Sequence, residues 1–362
     1  MKVLYVIASL DKRMGGTVYS VLNYYHSIRN NVEVTVVSTF RKNETKYLDD
    51  LVTNDTNILN FEIDVNFWRF SLSFFKYLTK NISKFDVVHI HGMWSFPTYC
   101  ASKYAYKNNI PYIVSPHGMV KKYALDHKKF KKKIYWKLVE EKIFNRAKYI
   151  HCITGDEQIS VRMLSSSETF LLANGVSVGE YKNNIKLCEN YLLFIGRLDP
   201  IKGLDNLICS MKMVDNIRLV IVGDGNKRYV KHLQKMTSDL QLSERISFVG
   251  FVEKANIYKL FNEALATVVC SYTEVFSLVA LESIANSTPV VISSQCDFDD
   301  IEKYSAGVIT KSNSPVDIAN GIKKIMNMDN EILSKNAHNL AATKFSIDII
   351  GNNLLRLYNG TK

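Results

Sequence analysis

The chain has 362 residues and 47% apolar content, enough to fill two domain cores of ordinary size. Its formal charge of +11 draws it to polyanions or acidic membrane surfaces. Six scattered cysteines, with no Cys-x-x-Cys pair, exclude a disulfide framework and a zinc ribbon, and the lack of a long apolar run excludes a membrane span. The reading is a reducing, cytoplasmic setting with at most peripheral contact on the inner face of the plasma membrane.

Lys2 to Ala8 is a short apolar run of the kind a central parallel strand shows. Ser9 to Gly16 follows, then a helical pattern (Val18, Val21, Leu22, Tyr25, Ile28) and a second strand, Val32 to Val37. The paired Gly15 and Gly16 let the backbone approach a ligand closely. A dinucleotide-binding unit starts this way too, with Glu33 as its ribose contact. That fingerprint needs three glycines, and Glu33 falls at the start of its strand. Residues 41–84 are less informative. Phe61 to Tyr77 is rich in aromatics and reads as a core-facing helix, with an acceptor or lipid contact as the alternative.

Phe85 to His91 is a third strand; His89 and His91 lack a third metal ligand nearby and read as core. Pro111 to Ser115 is a fourth. His117 follows in a glycine-containing loop at its end, where ligand clefts form in open α/β sheets. Between Lys121 and Lys137 stand eight lysines (121, 122, 128, 129, 131, 132, 133, 137) against Asp126 alone. Phe130, Ile134 and Leu138 recur every four residues, with Trp136 and Val139 close by. This is a basic amphipathic helix. Either it packs on the sheet with a solvated lysine face, or it meets anionic lipid, where each lysine contributes about 1 kcal/mol. No nucleic-acid motif is present, so no nucleic acid partner is expected.

Lys148 to Thr154 and Glu168 to Ala173 are further strands, closed by the turn Asn174-Gly175-Val176. Residues 177–189 are polar and read as a linker, with Lys182, Asn183, Asn184 and Lys186. The expected organisation is one Rossmann-like domain over 1–182 and a second over 183–345. A last helix within 346–362 is expected to cross back to the first domain.

The second domain restarts with Tyr191 to Ile195 and the loop Gly196 to Gly203, which holds Arg197 and Lys202. An Arg fork and a Lys point charge, entering a helix, suit phosphate oxygens. Ile217 to Val222 ends in Gly223, Ile246 to Phe251 ends in Gly250-Phe251, and Leu265 to Cys270 leads to Glu274. Ser277 is positioned to cap a helix from Leu278 to Ala285, inside which Glu282 lies. Two carboxylates thus flank a helix N-terminus that favours phosphate. A ligand with a central diphosphate and hydroxyl-rich groups on both sides fits: a nucleotide sugar. Pro289 to Ser293 is the last strand expected, followed by helices to the end.

Ser271 to Ala285, followed by Thr288-Pro289-Val290-Val291, resembles the E-x7-E signature of the retaining family-4 glycosyltransferases. Ser277 and Thr288 stand where that family usually has glycine. The His117 loop and the residues after it resemble a bacterial subgroup that builds surface polysaccharides, such as O-antigen or capsule. The resemblance implies the α/β architecture called GT-B, two Rossmann-like domains facing across a cleft. It implies transfer of a hexose-type sugar from a nucleoside diphosphate-sugar, such as a UDP-sugar, to a hydroxyl of a glycan or lipid-linked acceptor. Neither metal nor other cofactor is implied. It places His117 beside the donor sugar, Arg197 and Lys202 on the diphosphate, and Gly15 and Gly16 near the donor phosphate and acceptor. Gly223, Gly250 and Phe251 fall on the nucleotide; Phe276, Ser277 and Leu278 fall at the helix start. Glu274 holds sugar hydroxyls and Glu282 the ribose. Glu274, His117, Arg197 and Lys202 form the catalytic set. A nucleotide-sugar epimerase of the same fold and a non-catalytic nucleotide- or membrane-binding module are the competing functions.

Overall fold

A computed structural model describes residues 1–361 apart from 12, 14, 48–53, 122–128 and 182–190. The chain divides into two compact units, Met1–Gly175 with Ile347–Lys362, and Val176–Ser346.

Seven parallel strands are described in the first unit: β1 (Lys2–Ile7), β2 (Glu33–Phe40), β3 (Ile58–Glu62), β4 (Val87–His91), β5 (Tyr112–Ser115), β6 (Tyr149–Cys152) and β7 (Thr169–Leu171). Their order is β3-β2-β1-β4-β5-β6-β7. The central strands β1 and β4 are buried almost throughout because helices cover both faces of the sheet, and the two polar side chains of β4, His89 and His91, are buried with it. The order reverses between β1 and β4, so the loops after these two strands diverge and leave a crevice at their carboxyl ends. The helix Gly16–Ile28 follows β1. The last helix, Ile347–Asn359, packs against it so closely that a Cβ on Gly351 would lie 2.5 Å from the Ser27 carbonyl oxygen.

The second unit repeats the plan in six described strands: β8 (Tyr191–Ile195), β9 (Arg218–Val222), β10 (Ile246–Gly250), β11 (Ala266–Val269), β12 (Val290–Ser293) and β13 (Gly307–Thr310). Their order is β10-β9-β8-β11-β12-β13, with the reversal between β8 and β11.

Several expectations are corrected. The aromatic stretch from Phe61 to Tyr77 is not one helix. Phe61 lies in β3; Val65 and Phe70 pair across a tight turn; and the helix runs Leu72–Asn81, started by Ser71, whose hydroxyl accepts from the Phe74 N–H. Strand β13 comes before the final helices. The lysine-rich segment is described from Lys129 on; Lys122, Asp126 and Lys128 lie outside the described residues, as do Lys182, Asn183, Asn184 and Lys186 of the expected linker. The helix Lys129–Tyr135 passes into a π-turn, Trp136–Glu140. The extra residue of that turn rotates the helical face. Trp136 and Glu140 go inside, while Phe130, Ile134 and Leu138 are 77%, 47% and 66% exposed. Glu33 is exposed at the amino end of β2 and pairs with Lys2 at 3.1 Å, away from any ribose position.

Candidate active site

In the second unit the loops after β8 and β11 meet at the switch point. The β8 loop contains a short 3-10 turn, Pro200–Lys202, started by Asp199, whose carboxylate accepts from the Ile201 N–H at 3.1 Å. Gly203 ends it with φ 70°, and a Cβ there would lie 2.2 Å from the Cys270 carbonyl oxygen. Only glycine lets the two loops approach so closely. The Ile201 carbonyl accepts from the Tyr272 N–H at 2.9 Å, and the Cys270 thiol donates to the Lys202 carbonyl at 3.2 Å.

The result is an ion pair between Lys202 Nζ and Glu274 Oε1. Ser271 Oγ donates to the same carboxylate oxygen at 3.0 Å, which fixes its direction. Three residues on, Ser277 caps the helix Leu278–Ala285 by accepting from the Ala280 N–H at 3.2 Å. A cation, a hydroxyl-binding carboxylate and a helix N-terminus are therefore gathered at one switch point. Together they can bind a phosphate and a hydroxyl group side by side.

The other predicted residues of this unit take varied positions. Arg197 is exposed and pairs with Asp199 at 3.4 Å. Gly223 packs against Gly196, and its N–H donates to the Gly250 carbonyl at 2.8 Å. Phe251 follows with an exposed ring. Leu278 and Glu282 are half-buried in their helix. Phe276 is turned into the core, 4.8 Å from Phe298 and 5.8 Å from Phe345 by ring centroid, so only its backbone is left to meet a ligand.

In the first unit Gly15 caps the helix Gly16–Ile28 with φ 72°. His117 lies in the β5 loop with φ 51° and belongs to a buried histidine array that sequence reasoning did not assemble. The array's protons can be placed. The Leu172 carbonyl only accepts, so His151 Nε2 donates to it at 2.8 Å. Neutral His151 Nδ1 then accepts from Ser115 Oγ at 2.8 Å, and Ser115 in turn accepts from His89 Nε2 at 2.7 Å. His89 Nδ1 accepts from the Tyr358 hydroxyl at 2.8 Å, and Tyr358 accepts from Tyr5 at 2.8 Å. The chain of donors runs one way from Tyr5 to Leu172 and holds the last helix to the sheet. Burial, reinforced by neighbouring imidazoles, holds His89 and His91 well below the usual histidine range. It pushes His117 down to about 3 and His151 down to about 4.

His91 Nδ1 and His117 Nε2 are 3.1 Å apart. Their outer nitrogens, His91 Nε2 and His117 Nδ1, are buried without a partner. His117 is thus a neutral imidazole with one unpartnered buried nitrogen, able to bond a hydroxyl group without carrying charge. Its loop is clamped by Glu157, which accepts from the Gly118 N–H with one oxygen and from the Ile153 N–H at 2.8 Å with the other. Sequence reasoning missed Glu157. The signal was there: Thr154-Gly155-Asp156-Glu157 is a capping-box pattern.

Among the described residues no group of three or more His, Cys, Asp or Glu side chains is placed to hold a metal ion. No described helix is long and apolar enough to cross a membrane.

Two doubly wound parallel units, with ligand-competent groups at their switch points, are the architecture of the GT-B class. The chain belongs to the glycosyltransferases: residues 14–179 match "Glycosyltransferase Family 4" and residues 180–342 match "Glycosyl transferases group 1". An uncharacterized glycosyltransferase of Methanocaldococcus jannaschii is 26% identical over 306 residues, 76% of either chain. The O-antigen chain mannosyltransferase RfbU of Salmonella typhimurium is 26% identical over 167 residues, 45% of this chain and 47% of that one. Among solved structures, HepE of Anabaena in complex with UDP superposes with a TM-score of 0.79 at 17% identity, over 99% of this chain and all of that one.

Proposed function

We propose that the protein is a retaining, metal-independent glycosyltransferase. It moves a hexose-type sugar from a nucleoside diphosphate-sugar to a hydroxyl of a bacterial surface glycan. The observation that carries this is the Lys202–Glu274 pair beside the capped helix Leu278–Ala285. The relatives lend chemistry: HepE is solved with UDP and with UDP-glucose, and RfbU is named for O-antigen mannosyl transfer.

The reaction must stabilise a leaving diphosphate and an oxocarbenium-like sugar. Arg197, Lys202 and the N–H groups after Ser277 neutralise the diphosphate, work that a divalent ion does elsewhere. On donor binding, Lys202 exchanges the Glu274 carboxylate for phosphate oxygen, which frees Glu274 for sugar hydroxyls. Glu282 takes the ribose hydroxyls. Gly15 and Gly16 leave room for the donor phosphate, and Gly223, Gly250 and Phe251 meet the nucleotide. His117 offers its neutral imidazole to a hydroxyl of the sugar. The acceptor oxygen bonds to the anomeric carbon on the face the diphosphate leaves, and its proton passes to the departing phosphate. This gives retention without a protein nucleophile.

The lysine-rich helix is the proposed contact with anionic membrane, where a lipid-linked acceptor is anchored. Its exposed Phe130, Ile134 and Leu138 give it an apolar edge beside the lysines. Thermal-shift titration with UDP, GDP and ADP in EDTA tests the donor site. One nucleotide should raise the melting temperature as its concentration passes its Kd, and Lys202→Ala should abolish the shift. No shift from any of the three would remove the proposal.

A further inference from the structure

The loop after β5 is a tight turn. The Met119 N–H donates to the Pro116 carbonyl at 3.2 Å, and the two central residues, His117 and Gly118, have φ of 51° and 80°. Positive φ at both central positions is the pattern that Asn-Gly usually fills. Glycine takes it freely; His117 carries a Cβ and does not. The turn therefore needs a restraint from outside itself.

Glu157 supplies one. It lies fully buried in the first turn of the helix Gly155–Arg162, which Thr154 caps by accepting from the Glu157 N–H at 3.2 Å. In an ordinary capping box the residue at this position returns its side chain to the start of its own helix, and Glu or Gln serves. Here one oxygen does similar work, accepting from the Ile153 N–H at 2.8 Å. The other crosses to the β5 loop and accepts from the Gly118 N–H. Two N–H donors facing the two oxygens suit a carboxylate, since an amide would turn a donor towards one of them. A buried charge is costly, and a helix start does not ask for it. The Gly118 N–H belongs to the planar peptide that joins Gly118 to His117, so this bond fixes the mounting of the imidazole. His91 meets the same ring, Nδ1 to Nε2 at 3.1 Å.

We infer that Glu157 is a positioning residue for transfer: its carboxylate holds His117 in the strained turn that presents the imidazole to a substrate hydroxyl. The inference rests on the transferase reading above.

Glu157→Gln keeps the size of the side chain and sets an amide donor against a backbone N–H. In the parent, His117 has the imidazoles of His91 and His151 as neighbours, and NMR of the histidine rings should show it neutral down to about pH 5. In Glu157→Gln the turn relaxes, and His117 should titrate near the ordinary value of about 6.5. Transfer is followed with UDP-glucose, UDP-galactose, UDP-N-acetylglucosamine and GDP-mannose and a polyprenyl-diphosphate-linked oligosaccharide. Here kcat should fall roughly tenfold to a hundredfold in Glu157→Gln, as in His117→Ala, with the nucleotide thermal shift kept. The double variant should be no slower than His117→Ala alone, because the carboxylate acts through the imidazole. A merely structural role would add its own loss to that of His117→Ala. If Glu157→Gln does not fold, Thr154→Ala, which loosens the same helix start, takes its place in both measurements. An unchanged His117 titration, or additive losses, overturns the positioning role. If the parent transfers no sugar, the transferase reading falls, and the titration alone decides whether Glu157 holds His117.

Discussion

Lys202 and Glu274 form an ion pair that ties the loop after β8 to the loop after β11, with side chains 25% and 19% exposed. Each is the other's counter-ion in a partly desolvated position, and each is assigned to a different part of the donor. Lys202→Ala and Glu274→Ala are therefore each expected to lower kcat/KM for transfer by a few kcal/mol, on the order of 100- to 1000-fold. Circular dichroism should show the parent fold, and the double variant should fall far short of the summed losses, because the two act as a unit. Near-normal transfer by either folded single variant would sink the site assignment.

Activity should not need a divalent cation. In the proposed site Arg197, Lys202 and the helix start after Ser277 supply the positive charge that the diphosphate needs. Turnover in EDTA should equal turnover in Mg²⁺ or Mn²⁺. Activity lost to EDTA and restored by either ion would overturn this.

The histidine array predicts how stability follows pH. Burial keeps His89, His91, His117 and His151 neutral in the folded chain, with His151 down to about 4 and His117 down to about 3. Unfolded, each binds a proton below about pH 6.5. The unfolded state then holds more protons, so stability falls with pH by roughly 1.4 kcal/mol per unit for each histidine. Burial acts in the opposite sense on Glu140, raised to about 7, which keeps its proton in the folded chain above the range where it ionises unfolded. One group opposes four. The melting temperature should be flat above about pH 7 and should drop steadily towards about pH 5. A flat profile across that interval would contradict the neutral array.

The elements most legible in the sequence were buried central strands and capped helices. β1, β8 and β11 are nearly continuous apolar runs, β4 is one broken only by His89 and His91, and Ser277 declares its helix by side-chain chemistry alone. β3 and β13 were missed because edge strands are short and less apolar, and Asn60 interrupts the first. The aromatic spacing from Phe61 to Tyr77 mimicked a helix until Ser71 and its cap divided it. Lys202 and Glu274 were each legible as candidate site residues; their pairing was not, because it depends on Gly203 packing against Cys270. The histidine array was hidden for a similar reason. His91 faces Ser115 only through the parallel register of β4 with β5, and no local spacing records a register.

The lysine-rich helix makes a separate prediction. Replacing exposed Phe130, Ile134 and Leu138 with Ser should reduce sedimentation with acidic phosphatidylglycerol vesicles, even in salt that screens the lysines. Replacing Lys131, Lys132 and Lys133 with Ser should weaken binding chiefly at low salt. Transfer to a short soluble acceptor should be largely spared in both. Pelleting equal to the parent's, at low and moderate salt, would reduce this helix to a solvated surface.

The central claim is retaining transfer from a nucleoside diphosphate-sugar, and the anomeric configuration of the product tests it most directly. The purified chain would be incubated with UDP-glucose, UDP-galactose, UDP-N-acetylglucosamine and GDP-mannose, in EDTA, with a polyprenyl-diphosphate-linked oligosaccharide, and followed by proton NMR. With one donor, nucleoside diphosphate should appear in step with a new glycosidic signal of the donor's own α-configuration, and Glu274→Ala should suppress both. A β-configured product would contradict the same-face mechanism, an epimerised donor without transfer would contradict the reaction, and four unchanged donors would contradict the enzyme.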